Sequence, residues 1–229
     1  MADALALGLA DPGAGTRPRV VAERLSYGYR RGVRVLDEVD VALHPGSVVA
    51  LTGPSGRGKS TLLYLLAGLL RPWSGTVRID GVELARLDDR HRSLTRARTC
   101  GFVFQDVVLD PRRRVIDSVL EPALYAGESP ERWRPRALEL LAAMGVALQA
   151  DSRPGEVSGG QAQRVGLCRA LLLGPSVVFA DEPTGNLDHD STEVVLAALE
   201  GAARGGAVVV IATHDDRVVE RCTSHVRLA

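Results

Sequence analysis

Lysine is almost absent from this sequence: 27 of its 28 basic residues are arginine, and the single lysine is Lys59. Random placement would put it at a given basic position about once in 28, so the exception asks for a reason of geometry. A lysine carries a compact point charge on a flexible stem, whereas an arginine carries a planar fork. Cysteine is scarce too. Cys100, Cys168 and Cys222 are odd in number and widely spaced. That excludes a disulfide framework and a cysteine-based zinc site, fits a reducing compartment, and leaves each as a small core residue or an unreactive thiol. Net charge is zero, with 28 acidic residues against 28 basic ones, so the electrostatic footprint of a nucleic-acid binder is missing. Long apolar runs are missing as well. Leu62–Leu70, interrupted by Gly68, and Ala207–Ala212 fall far short of the ~20 residues that a bilayer requires. The opening MADALALGLADPGAGTRP has an early Asp3 and no basic flank, so residues 1–18 read as a disordered lead-in and not as a secretory signal. A membrane role would therefore come through a partner.

What is present is an alternation of short apolar strands with helical stretches, the pattern of an α/β protein with a mainly parallel sheet. Strands are expected at Val39–Leu43, Val48–Thr52, Gly101–Phe104, Ser176–Ala180 and Ala207–Ala212, and a buried helix at Ser60–Leu69. Residues 74–84 read as a hairpin turning at Asp80-Gly81. Between about 106 and 170 the chain becomes helical, rich in Arg and Glu and broken by prolines, which suggests a helical subdomain inserted into the α/β core. Within it Leu138, Leu141, Ala142 and Gly145 share one helical face by spacing.

Residues 53–60, Gly53, Pro54, Ser55, Gly56, Arg57, Gly58, Lys59 and Ser60, match G-x-x-x-x-G-K-[ST] in full, with Thr61 next. An apolar strand precedes the motif and a helix follows it. The glycines let backbone N–H groups turn toward phosphate oxygens, Lys59 reaches the β- and γ-phosphates, and the Ser60 hydroxyl suits Mg²⁺. A strand of four apolar residues ends in Asp181 and Glu182, at the edge where open α/β sheets take ligands. Asp181 there suits a metal reached through water, and Glu182 suits a general base for an attacking water. Between these two motifs stands VSGGQ, with Ser158, Gly159, Gly160 and Gln161 at a helix start. It is either a docking point for a second nucleotide's phosphates or a plain serine cap with a glycine turn.

Taken in order, these motifs resemble the nucleotide-binding subunits of ABC transporters from about residue 19 to 228. GPSGRGKS is the phosphate loop, FVFQ ends in a Q-loop glutamine at Gln105, VSGGQ is the signature, Asp181-Glu182 the second acidic motif, GNLD a D-loop at Asp188, and THD a switch histidine at His214. ADEPTGNLD, FVFQ and ALYAG look most like the branch serving lipoprotein release and macrolide export. The resemblance implies a P-loop (RecA-like) core with a small antiparallel β-subdomain and an inserted helical subdomain. It implies ATP and Mg²⁺ as cofactors, a second copy closing head to tail around two ATP, and a transmembrane permease as partner. The chain would then lie on the cytoplasmic face of the membrane, held there through the permease. Ser158 and Gly160 of one copy would meet the γ-phosphate held by Lys59 of the other. Gln105 would sense metal and water, His214 would contact the γ-phosphate, and Tyr29, or its neighbour Tyr27, would stack on adenine. The sequence departs from the pattern at Val157, where leucine is usual, at Arg57, and in DPRRRVIDSV. In that last segment Arg112–Arg114 form either part of a partner face or a solvated helix start. A mechanical or regulatory ATPase acting on a membrane partner without moving a substrate across the bilayer is the alternative.

Overall fold

The computed structural model describes residues 16–30 and 32–228. Most of the lead-in expected over residues 1–18 lies outside the described residues. β-Branched runs make the central sheet. β3 (Val48–Thr52), β6 (Cys100–Val103), β7 (Val177–Asp181), β8 (Val208–Ala212) and β9 (Ser224–Arg227) form a parallel sheet in the order β6-β7-β8-β3-β9. Side chains alternate across it. Val177 and Phe179 enter one core with α1 (Lys59–Leu66), while Val178 and Ala180 enter another with α5 (Gly159–Leu171) and α6 (His189–Arg204). Burial on both faces is why β7 and β8 read as continuous apolar runs.

A second, antiparallel sheet covers the α1 face. β1 (Val20–Tyr27) pairs with β2 (Leu36–Leu43) and β4 (Ser74–Ile79), and β4 pairs with the short β5 (Val82–Glu83). The β4–β5 turn is the one expected: Ile79 faces Val82, and Asp80 and Gly81 both take positive φ, 48° and 81°, as a type I′ hairpin turn requires. Arg24 (φ 47°) and Glu38 (φ 48°) sit where the β1–β2 register slips, bending this sheet.

The helical stretch holds α3 (Val115–Tyr125) and α4 (Pro130–Ala143), which pack on each other and on α5; α5 also packs on β6 and α6. The buried stripe of α4 differs from the expected one. Ala137, Leu140, Leu141 and Met144 are buried, while Leu138 and Ala142 face outward. The spacing is the same, but the frame is shifted by one, set by packing on α3 and α5; the helix ends at Ala143, and Gly145 (φ 65°) belongs to its terminating turn. Helix α1 likewise stops at Leu66, three residues early, with Gly68 (φ 65°) in the left-handed turn that ends it. Cys100 and Cys168 are buried and Cys222 half-buried, and burial pushes their thiols up to about 11, about 12 and about 11, so all three are unreactive packing residues. The Arg112–Arg114 run is exposed and paired locally: Arg112 and Arg113 with Asp110, Arg113 with Glu121, Arg114 with Asp151.

Candidate nucleotide site

Strand β3 delivers the chain to the glycine-rich loop at the carboxyl edge of the parallel sheet. Two glycines are dictated by space as well as by conformation. At Gly53 (φ 139°) a Cβ would lie 2.4 Å from the Leu228 carbonyl oxygen, and at Gly58 (φ 93°) it would lie 2.9 Å from Val35 Cγ1. Gly58 caps α1 in the left-handed conformation, which leaves the first N–H groups of the helix directed into the loop. Pro54, Ser55, Gly56 and Arg57 are exposed, and the Arg57 N–H donates to Pro54 O at 3.3 Å, closing the loop into a turn. Lys59 Nζ donates to Gly53 O (2.9 Å) and Pro54 O (3.3 Å), so the ammonium lies within the curve of the loop.

Parallel pairing sets the acidic motif beside this loop. Asp181 at the end of β7 faces Ala212 of β8, and Leu51 of β3 faces the same residue from the other side. Asp181 is buried, 9% exposed, and both carboxylate oxygens are occupied: Ser60 Oγ donates to Oδ1 at 2.9 Å and the Tyr64 hydroxyl donates to Oδ2 at 2.7 Å. Burial first, and then the bond to Asp181, push the Tyr64 phenol up to about 12, so it stays a donor. Ser60 and Asp181 offer hard oxygen donors close together, which suits Mg²⁺, an ion that takes one or two protein oxygens and draws the rest from water and phosphate. Among the described residues no cluster of three or more His, Cys, Asp or Glu is arranged to hold a metal unaided.

Glu182 follows with φ 44°, a left-handed conformation that costs a β-carbon residue about 1–2 kcal/mol. Its N–H donates to Ala212 O (2.9 Å), and its carboxylate accepts from Thr213 Oγ1 (3.0 Å) and pairs with His214 Nδ1 (2.7 Å). This carboxylate, unlike that of Asp181, takes its partners from the segment after β8. Gln105, just beyond β6, has its Nε2 3.9 Å from where a Cβ on Gly185 would stand, in the turn after Glu182. The fully buried Thr213 and the buried Gln163 escaped the sequence reading. Gln163 Nε2 donates to Phe104 O and Pro183 O, both at 3.1 Å, tying α5 to the segments that carry Gln105 and Glu182. Tyr64 escaped it too, although its place four residues after Ser60, on the same helical face, was available.

The bond to Glu182, then its charge, raise the His214 pKa above the ordinary 6.5, with Asp215 helping and Lys59 opposing. A raised folded value means that the pair's contribution is complete below about 6.5 and is lost as pH rises through the folded value. Histidine NMR titration should therefore find His214 above the ordinary 6.5, and the Glu182→Gln chain should lower it; an unmoved His214 would contradict this geometry.

Tyr29 is 65% exposed and its hydroxyl lies 3.0 Å from Thr61 Oγ1 in the first turn of α1, whereas Tyr27 is half-buried against the β-sheet core and meets Tyr29 edge to face at 5.2 Å. Of the two, Tyr29 reaches the first turn of α1 that follows the loop. Ser158 caps α5 in a capping box: Ser158 Oγ accepts from Gln161 N (3.2 Å), and Gln161 Oε1 accepts from Ser158 N (2.8 Å). The plain cap is thus formed, and Ser158 and Gly159 remain exposed. Gly160 leans toward α6, with Ser191 Oγ 3.5 Å from where its Cβ would be. Asp188 caps α6 through Ser191 N (2.7 Å), and that bond holds its carboxyl below the usual range. The fold does not bring the signature to the phosphate loop of the same chain: α1 packs on β3, β7 and β8, and α5 on α3, α4, α6 and β6.

The ABC transporter family model matches residues 36–185. The chain is 43% identical over 211 residues to the lipoprotein-releasing system ATP-binding protein LolD 1 of Rhodospirillum rubrum, covering 92% of this chain and 93% of that protein. It is 44% identical over 196 residues to the macrolide export ATP-binding/permease protein MacB of Rhodopseudomonas palustris, covering 86% of this chain and 30% of MacB. Among solved structures it is similar to the dimeric, post-hydrolysis ATP-binding cassette MJ0796 bound to ADP and Pi, with TM-score 0.84, 33% identity, and coverage of 91% and 94%. The phosphate loop, the acidic pair and this likeness agree: the chain belongs to the ABC transporter family and is one of its ATP-binding, ATP-hydrolysing cassettes.

Proposed function

We propose that this cassette works as one half of a head-to-tail pair that powers a separate membrane permease for lipoprotein release or export. The observation that carries this is the division of the site: Lys59, Ser60, Asp181 and Glu182 converge at one sheet edge, while Ser158 and Gly159 stand exposed, with Gly160 half-buried, at the start of a helix that does not reach them. In the proposed cycle the N–H groups from Gly56 to Thr61 and the Lys59 ammonium hold the phosphates, and Tyr29 stacks on the base. Ser60 and Asp181, with Gln105, would hold Mg²⁺, which would supply positive charge against the phosphates. Glu182 accepts a proton from water as its oxygen bonds to the γ-phosphorus and the bond to ADP breaks; His214 steadies the γ-phosphate. Ser158, Gly159, Gly160, Gln161 and Asp188 serve the nucleotide held by the second copy.

No helix among the described residues is long and apolar enough to cross a membrane. The fitting place for a permease is the groove of ≈ 510 Å³ beside the Gln105 segment, lined by Phe104, Tyr125 and Leu173 with Arg96, Glu121 and Arg169 at its polar edge. Such docking would hold the chain to the cytoplasmic face of the membrane. The test is hydrolysis in vesicles carrying the cognate permease. Permease should stimulate turnover, and Tyr125→Arg should remove that stimulation while ATP binding persists. Stimulation that survives Tyr125→Arg would move the docking site elsewhere, and no response to any permease would remove the transport reading.

A further inference from the structure

We infer that Tyr64 is a positioning residue for the metal-bearing carboxylate, an anchor on Oδ2 that keeps Asp181 aimed when Ser60 also serves the cation. Helix α1 presents two hydroxyls to one carboxylate. Ser60 and Tyr64 are one helical turn apart on the same face, and they divide the two oxygens of Asp181 between them, at 2.9 Å and 2.7 Å. A buried carboxylate needs partners for both oxygens. The inference rests on the reading that Ser60 and Asp181 hold Mg²⁺ with the nucleotide. In that state a Ser60 oxygen lone pair meets the cation, while its O–H serves only the Oδ1 side of the carboxylate. Tyr64 is then the side chain that still fixes Oδ2, and a carboxylate fixed at one oxygen presents the other in a defined direction. The tyrosine ring is half-buried and packs against the core that α1 shares with the β-sheet, so part of its freedom is already lost before its hydroxyl meets Asp181. Outer-sphere partners of this kind orient the ligand and tune its affinity without touching the metal.

The experiment is nucleotide binding followed by a fluorescent ATP analogue, first in EDTA and then across a Mg²⁺ titration, with parent, Tyr64→Phe, Tyr64→Leu and Asp181→Asn compared and the thermal unfolding of each recorded. Tyr64→Phe keeps the ring and removes the donor. It should leave affinity in EDTA within about twofold of the parent and raise the half-saturating Mg²⁺ about tenfold. Tyr64→Leu should lower the unfolding temperature further yet shift the Mg²⁺ response no more than Tyr64→Phe does. A Tyr64→Phe chain with a Mg²⁺ response within twofold of the parent, beside a shifted Asp181→Asn, overturns the Tyr64 role and leaves the metal reading intact. So does a Tyr64→Leu chain shifted far beyond Tyr64→Phe, since packing and not the hydroxyl would then be the cause. An Asp181→Asn chain with an unchanged Mg²⁺ response would instead remove the metal reading on which the inference stands.

Discussion

The Glu182→Gln substitution should lower steady-state ATP hydrolysis about 10²–10⁴-fold while leaving nucleotide affinity nearly unchanged. The amide is close to the carboxylate in size, so the backbone at position 182 and the Thr213 bond (3.0 Å) can persist. What is lost is the negative charge that, in the proposed cycle, accepts a proton from the attacking water. Glu182 is not among the groups lining the curve of the phosphate loop, which is why binding should survive. Phosphate release under saturating ATP measures the first effect and equilibrium binding the second. A Glu182→Gln chain with parental turnover would take the general-base role away from this residue.

Lys59 gives the other large effect. Lys59→Ala should weaken ATP binding about 10- to 100-fold, the scale of losing hydrogen bonds from a charged donor. The sharper test is Lys59→Arg. Arginine serves at 27 other positions of this chain, so a sequence with so strong a bias has had every opportunity to place one here. The Lys59 ammonium lies 2.9 Å from Gly53 O and 3.3 Å from Pro54 O, inside a loop whose curvature suits a compact donor. A planar fork would have to stand outside that curve. We expect Lys59→Arg to lose nearly as much affinity as Lys59→Ala. An arginine chain that binds ATP like the parent would show that charge alone is needed, and that the lone lysine is an accident of composition.

Much of this site was legible because its chemistry is local. GPSGRGKS, VFADE and THD each carry their residues within a few positions, and the strands that present them are apolar on both faces. The elements that went unread lack that signal. Helix α2 (Asp89–Thr99), DRHRSLTRART, buries no residue, so no apolar periodicity marks it; the Asp88 cap on His91 N (2.8 Å) starts it. Strand β1 carries two exposed residues in sequence, Glu23 and Arg24, at its bulge, which breaks the alternation of period two. The shifted stripe of α4 shows that spacing fixes a helix's period and leaves its phase to the partners it packs against. Tyr64, Thr213 and Gln163 were missed for a related reason. Each acts across long sequence separations, 117 residues for Tyr64 and Asp181, 31 for Thr213 and Glu182, and 59 for Gln163 and Phe104. Only the parallel register of β3, β7 and β8 brings the first two pairs together.

The central claim is that Lys59 anchors half a site, completed by Ser158 of a second copy. Light scattering of the Glu182→Gln chain with Mg²⁺ and ATP tests it most directly. The 24.4 kDa chain should double in mass on adding ATP, with two nucleotides per pair. Adding Ser158→Arg to the same chain should return it to single mass while each copy still binds ATP. A Glu182→Gln chain that stays at single mass when saturated with ATP, or a pair indifferent to Ser158→Arg, would contradict the account.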